Sequence, residues 1–577
     1  MIKIFKSIKP LQFIIALITI SAAVGCDLYL PTLTSEIIDK GVIAQDTDFV
    51  IRTGILMVGV SIVGLCFGAI NIFVGSRESQ RVGEVLRGKL FHKVEHMSLD
   101  EFDQFGTATL ITRATNDVNQ VVQMLMMTLR MVLRSPITLI IAFILAFSKS
   151  PELSVVFVVV LPLLAVVTGI VMKLAMPLFK VQQEKIDKLN LVFREGLTGV
   201  RVIRAFGKVG TEKERYDDAN QEYTGVAMRV QMIFAVMMPI VTLAFSGTSI
   251  AIVWFGGHLV NTHSMDIGNM IAFMTYAMQI LMSFIFVTMI LAMFPRAEAS
   301  AKRINEVLAV DHVIKDDPSA VHFERLGTDA TIEFKNVGYA YKGAEKDAIC
   351  DISFSAKAGE TVAIIGGTGS GKTTLVNLIP RFYDVTEGQI VVNGVEVKEG
   401  YQRSLRDILS LVPQKAVLFI GTIRENLLYA KADATDEQIW KALEIAQAKD
   451  FVEGLEDGLD HQVEQGGGNF SGGQRQRLAI ARAILRDADF YIYDDSFSAL
   501  DFRTDSKLRA ALKREMTRGV NIIVAQRVST VMDADNILVL DDGVLVAQGK
   551  HDDLYKNCEV YQEIVNSQLR EEDLSNV

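Results

Sequence analysis

The chain has 577 residues, more than one ordinary domain holds. Half of them are hydrophobic and 22% are charged, with a mean hydropathy of +0.29, which points to an apolar half and a charged half. The formal net charge of −10 leaves no basic surplus for nucleic acid, and Cys26, Cys66, Cys350 and Cys558 show neither metal-ligand spacing nor a disulfide framework.

In chain order, residues 1–25 carry three lysines and then an apolar run. A secretory signal, even a lipoprotein site at "AVGC", matches that outline. Further apolar spans follow, which favours a short amphipathic lead-in and a first membrane helix. Six segments reach the roughly 20 residues a bilayer crossing needs: about 11–31, 54–75, 121–147, 153–176, 231–260 and 266–294. Arg130 and Arg134 interrupt the third and are expected near its cytoplasmic end if the apolar part 135–147 is the outer portion. Asp27 is expected in the outer part of the first span, either as a candidate gate or as an interfacial acid. The long stretches 77–120 and 177–230 are rich in Lys and Arg. By the positive-inside bias they face the cytoplasm, as do both termini of a multi-pass cell-membrane protein. They look helical, with turns near 100–108 and 206–213, and read as levers reaching below the membrane or as plain solvated hairpins. The Met- and Phe-rich segment 273–294 suits promiscuous apolar binding as well as ordinary packing.

The expected division is a transmembrane domain over 1–310, a linker over 311–330 and an α/β domain over 331–577. In the last, a buried strand "TVAII" leads into Gly366-Gly367-Thr368-Gly369-Ser370-Gly371-Lys372-Thr373, with Thr374 next, and then a helix, which makes it the nucleotide-binding domain. This is a phosphate-binding loop in its required strand–loop–helix setting. Its N–H groups cradle phosphate oxygens, Lys372 reaches the β- and γ-phosphates and Thr373 ligates Mg²⁺. The run "DADFYIYDD" delivers Asp494 as the second metal-side acid. "FSGGQ" places Ser471, Gly472 and Gly473 at the start of a basic helix, a second anion site, which one nucleotide in one domain does not need.

With these motifs the C-terminal half resembles the nucleotide-binding domain of ATP-binding cassette (ABC) transporters, and the whole chain an ABC exporter half-transporter. The resemblance implies a six-helix membrane domain followed by an α/β P-loop cassette, with ATP and Mg²⁺ as cofactors. It implies that Tyr341 stacks on adenine and that Gln414 senses the metal and the attacking water. Ser471 to Gln474 complete a partner's ATP site, Glu464 precedes that signature, and Ser498 and Asp501 belong to the loop joining two sites of a dimer. The stretches 102–118 and 196–206 resemble the family's two cytoplasmic coupling loops. Two positions depart from the pattern: Asp495 stands where the family has its catalytic Glu, and Gln526 where it has the switch His. The chain therefore resembles the degenerate-site subunit of a heterodimeric, multidrug-type exporter. The implied partner is a second half-transporter with both residues intact, and the implied substrate is small and apolar or amphipathic, drug-like or lipid-like. A homodimer with two slow sites and a nucleotide-gated channel or sensor are the alternatives.

Overall fold

In the computed structural model, residues 8–575 are described; the beginning of the expected lead-in lies outside them. The chain forms two compact units. The first runs up to Lys93 and resumes over Ala108–Ala309; the second comprises Val94–Thr107 and Val310 onward.

The first unit is helical. Among the described residues, six helices are long and apolar enough to cross a membrane: α1 (Pro10–Val42), α2 (Thr47–Glu95), α3 (Thr107–Lys149), α4 (Pro151–Thr198), α5 (Val209–Asn261) and α6 (Ile267–Leu308). The apolar windows fix where these helices lie, but the charged flanks continue the same helices. α2 has 49 residues, or about 74 Å at 1.5 Å per residue, more than twice a hydrocarbon core. Their packing is anchored on α6, where Phe273, Tyr276 and Ile280 are buried against Val24 and Leu28 of α1, Ala142 and Ala146 of α3, and Phe157 of α4. The buried Tyr276 hydroxyl bonds to Thr32 at 2.7 Å and donates to the Leu28 carbonyl at 3.1 Å.

α3 is not a regular helix. It passes through two π-helical turns, Arg113–Asp117 and Thr128–Val132, and such turns commonly mark functional sites. The first turns the buried Asp117 toward α6, where it accepts from Ser300 at 2.8 Å and from Arg303 Nε at 2.7 Å. The second lies just before Arg134, whose guanidinium donates to the Asp27 carboxylate at 2.6 Å. This corrects the expected depths. A residue in the outer part of one span and a residue at the cytoplasmic end of another cannot touch, so Asp27 and Arg134 share one level. Asp27 lies 15 residues, or about 22 Å, from the Val42 end of its helix. The apolar run 135–147 dominated the hydropathy pattern, and sequence spacing does not reveal how helices stagger.

The second unit is built on a ten-stranded sheet. Its strands are β1 (Thr331–Tyr339), β2 (Ile349–Lys357), β3 (Thr361–Gly366), β4 (Glu387–Val392), β5 (Val395–Glu396), β6 (Leu409–Val412), β9 (Phe490–Asp494), β10 (Val520–Val524), β11 (Asn536–Asp541) and β12 (Val544–Gly549). β7 (Gly421–Thr422) and β8 (Gln462–Val463) pair separately. The order is β5-β4-β1-β2-β12-β11-β3-β10-β9-β6. Neighbours from β11 through β3, β10 and β9 to β6 run parallel, while β1 pairs antiparallel with β2 and β4. Successive side chains point to opposite faces. Tyr491, Tyr493 and Ile523 therefore enter one core, and Phe490, Ile492 and Ile522 the other. This two-sided burial is why β3, β9 and β10 read as near-continuous apolar runs. A helix over Leu99–Phe105 belongs to this unit. It is closed by a Ser98–Glu101 capping box, and Leu99 packs on the second core.

Candidate functional site

Four neighbouring parallel strands carry the site. β3 runs into the phosphate-binding loop, β10 into Gln526, β9 into Asp494 and Asp495, and β6 into Gln414. In open α/β sheets ligands collect at the carboxyl ends of the strands. There Tyr341, Thr368, Gly369, Gly371, Lys372, Thr373, Thr374, Gln414, Asp494, Asp495 and Gln526 line one cavity of about 350 Å³.

The loop demands glycine at a definite place. Gly371 has φ +91°, and a Cβ there would come within 2.7 Å of the Ala348 carbonyl oxygen. Any side chain forces the loop off the sheet. The helix α7 (Lys372–Leu378) starts immediately after it, with Gly371 at its N-cap. Gly366, Gly367 and Ser370 do not line the cavity; they form the underside of the loop and grip Lys372. Its ammonium donates to the Gly366 carbonyl at 2.9 Å, to the Gly367 carbonyl and to Ser370 Oγ at 3.2 Å. Burial pushes this ammonium below the usual lysine value, against the pull of Asp495 and Asp494.

Thr373 Oγ1 donates to Asp494 Oδ1 at 3.1 Å. Burial pushes the Asp494 carboxyl up from its ordinary value, partly offset by that hydroxyl. One carboxylate, one hydroxyl and the nearby Gln414 amide form an all-oxygen donor set. That set suits a hard cation which shares its shell with phosphates and water. Tyr341, beside the loop, bonds to Thr374 Oγ1 at 2.9 Å and stands edge-on to Tyr339 and Tyr383.

Asp495 is the most constrained residue of the group. It is 8% exposed, with φ +46°, a region that Asp and Asn tolerate better than most residues. Its backbone N–H donates to the Val524 carbonyl at 3.0 Å, and its carbonyl accepts from Ser498 Oγ at 2.8 Å. The same carboxylate oxygen, Oδ2, accepts from Gln526 Nε2 at 2.9 Å and Gln414 Nε2 at 3.2 Å. The two departures from the expected catalytic pair therefore bond to each other.

Other expected site residues stand apart from this cavity. Ser471 caps α8 (Gly472–Leu485): its Oγ accepts from the Gln474 N–H at 3.3 Å while Gln474 Oε1 accepts from the Ser471 N–H at 2.9 Å. Neither they nor Gly472 and Gly473 line it. Asp501 caps α9 (Phe502–Glu515) by accepting from the Thr504 N–H at 3.0 Å. The backbone of Ser498 lies near Arg527, whose guanidinium donates to the Ser498 carbonyl at 3.5 Å.

Sequence reading missed the aromatic support of Tyr341. Tyr339 and Tyr383 are buried around it, and the Tyr339 hydroxyl donates to Asp100 of the Leu99–Phe105 helix at 3.1 Å. The doubled tyrosine in "VGYAY" was the available signal. Burial and Asp100 push the Tyr339 hydroxyl well above the usual tyrosine range.

The membrane unit holds a second cavity, of about 720 Å³. Asp27, Arg130, Arg134, Asn71 and Gln279 line it together with Met282 and Phe286. Polar groups thus join the Met and Phe side chains that the sequence brought forward. Asp27→Ala leaves Arg134 without its partner among apolar helices. The expected result is a severalfold loss of transport with nucleotide binding unchanged, measured side by side on purified protein.

Residues 13–284 match the family model for the ABC transporter transmembrane region, and residues 349–498 match that for ABC transporter. An uncharacterized ABC transporter ATP-binding protein of Mycobacterium tuberculosis is 39% identical, covering 98% of this chain and 97% of that protein. The ATP-dependent lipid A-core flippase of Escherichia coli K12 is 30% identical, covering 98% and 97%. The structure of a bacterial Atm1-family ABC exporter with ATP bound shares the fold, with a TM-score of 0.81 at 24% identity over 97% of this chain and 99% of that one. Six membrane helices joined in one chain to a cassette whose strand ends gather a phosphate-binding loop and its acids make this protein a multi-pass half-transporter with a transport-coupled ATPase domain, and the chain belongs to the ABC transporter family.

Proposed function

We propose that this chain is one half of an ATP-driven exporter whose own ATP site holds nucleotide and hydrolyses it slowly, and whose signature completes the working site of a second half-transporter. The observation that carries this reading is the Asp495 carboxylate, short by one methylene and engaged by both Gln414 and Gln526. A general base must come within about 2.6–3.2 Å of the water it activates. A misplacement of about 1 Å costs on the order of 100-fold. We assign Tyr341 to the base, Lys372 and the loop to the phosphates, and Thr373, Asp494 and Gln414 to Mg²⁺; these five named residues line one cavity, which supports the assignment. When bound, Mg²⁺ neutralises phosphate charge; the chain's own groups bind, orient and hold still.

The separation of Ser471 to Gln474 from the chain's own cavity fits head-to-tail pairing, in which each ATP lies between the loop of one chain and the signature of the other. The Lys- and Arg-rich stretches support a reading in which both termini of a cell-membrane protein face the cytoplasm. The mixed polar and apolar cavity of the membrane unit favours an amphipathic, drug-like or lipid-like substrate. The flippase relative, named for a lipid, is consistent with that class.

The test is assembly. The chain purified alone is expected to show weak ATPase activity, and co-expression with its cognate half-transporter to raise turnover strongly. A homodimer with brisk, substrate-stimulated ATPase activity contradicts the reading.

A further inference from the structure

The C-terminal helix α11 (Glu559–Ser575) takes no part in the proposed function. One of its faces is docked. Tyr561 is fully buried and Val565 is 6% exposed, in the core that also holds Val528 and Val531 of α10 (Val528–Val531). The next residue on that face, at the i, i+4, i+7 spacing of a helical stripe, is Gln568. An apolar side chain would continue the packing. Gln568 instead bridges two backbone groups: its Oε1 accepts from the Val528 N–H at 2.7 Å, and its Nε2 donates to the Gln526 carbonyl at 2.7 Å.

Both groups belong to the segment that presents Gln526 to Asp495. The Val528 N–H opens α10, where helix donors have no partner within the helix, and the N-cap residue Arg527 supplies no side-chain cap. The Gln526 carbonyl lies beyond the end of β10 and outside its ladder. An amide is the side chain that accepts from one and donates to the other at once. The chain Gln568, Gln526 backbone, Gln526 amide, Asp495 is thus continuous, with side-chain links of 2.7 and 2.9 Å.

We propose that Gln568 is a positioning residue for the ATP site: it straps the C-terminal helix to the switch segment and fixes the backbone from which Gln526 reaches Asp495. This rests on Gln526 and Asp495 facing the nucleotide. It assigns the helix a task beyond packing, because an undocked helix releases the switch side chain while leaving the phosphate-binding loop intact.

The experiment uses the full-length chain with its partner half in lipid nanodiscs, loaded with Mg-ATP. It compares Gln568→Leu, Gln568→Glu, Gln526→Ala and the double variant Gln568→Leu/Gln526→Ala. Amide exchange is followed over residues 524–532 and over 559–567, together with the rate at which ATP leaves. Losing two hydrogen bonds of ordinary net strength sets the scale at about 30-fold. Gln568→Leu is expected to speed exchange over 524–532 by about that factor, leave 559–567 protected, and speed ATP release. Gln526→Ala should speed release to the same extent, and the double variant should add nothing further, the signature of two residues acting through one contact. Gln568→Glu keeps the acceptor for Val528 but loses the donor to Gln526, so it should preserve exchange protection at Val528 and still speed release. Unchanged exchange over 524–532 in Gln568→Leu overturns the proposal, as does faster exchange with unaltered release, or independent effects in the double variant. If the wild-type protein retains no ATP, the reading of this site as a holding site fails. ATPase turnover then replaces release as the second readout for Gln568, with the same expected pattern.

Discussion

Ser471→Ala is expected to lower ATPase and transport of the assembled complex by about 10²–10³-fold, whereas Lys372→Ala in the same polypeptide should reduce them only partly. A hydrogen-bond donor preorganised at a phosphate in a water-excluded site is typically worth about that factor. Ser471 stands at the start of α8, away from the cavity of its own chain, so under the proposed head-to-tail pairing its loss falls on the ATP held by the partner. Lys372 grips its own loop beside Asp495 and Gln526, where the proposed division of labour leaves little turnover to lose. Ser471 is also an N-cap, and losing a cap costs about 0.5–2 kcal/mol of stability. Ser471→Asp separates the two roles: it keeps the cap and sets a negative charge against phosphate. It should fold like the wild type and be as inactive as Ser471→Ala. Equal, near-total loss from Lys372→Ala and Ser471→Ala would make the two sites catalytically equivalent.

The second large effect is expected from Asp495→Glu. The added methylene extends the base by about 1 Å, a distance worth on the order of 100-fold in a positioned reaction. To use it the carboxylate must leave the Gln526 and Gln414 amides that now engage it. Adding Gln526→His removes one of those contacts and restores a side chain able to carry charge. Hydrolysis at this chain's site, followed in single-turnover assays with a partner disabled in its own base, should rise by up to about 100-fold in the double variant, and by less in Asp495→Glu alone. Transport with a wild-type partner should be preserved.

What the sequence showed follows from how each residue is specified. The phosphate-binding loop, Asp494 and the six spans were legible because local rules set them: glycine where φ is positive, an apolar strand buried on both faces, an apolar run as long as a bilayer is thick. Asp495 and Gln526 were legible as departures, but their mutual hydrogen bond was not, since 31 residues separate them. The same holds for Asp27 with Arg134, 107 residues apart, for Tyr339 with Asp100, and for Gln568 with the backbone at 526 and 528. The π-helical turns of α3 left no mark in the hydropathy pattern, because one extra residue per turn shifts a face without changing composition.

The central claim is that this chain's phosphate-binding loop keeps ATP while the partner's site turns over. It is tested most directly by the nucleotide found there during steady hydrolysis. A photoreactive ATP labelled in its γ-phosphate, crosslinked within the working complex, should leave the γ-label on this chain and little of it on the partner, and Asp495→Glu with Gln526→His should remove it from both. Loss of the γ-label from the wild-type chain as fast as from its partner would contradict the account.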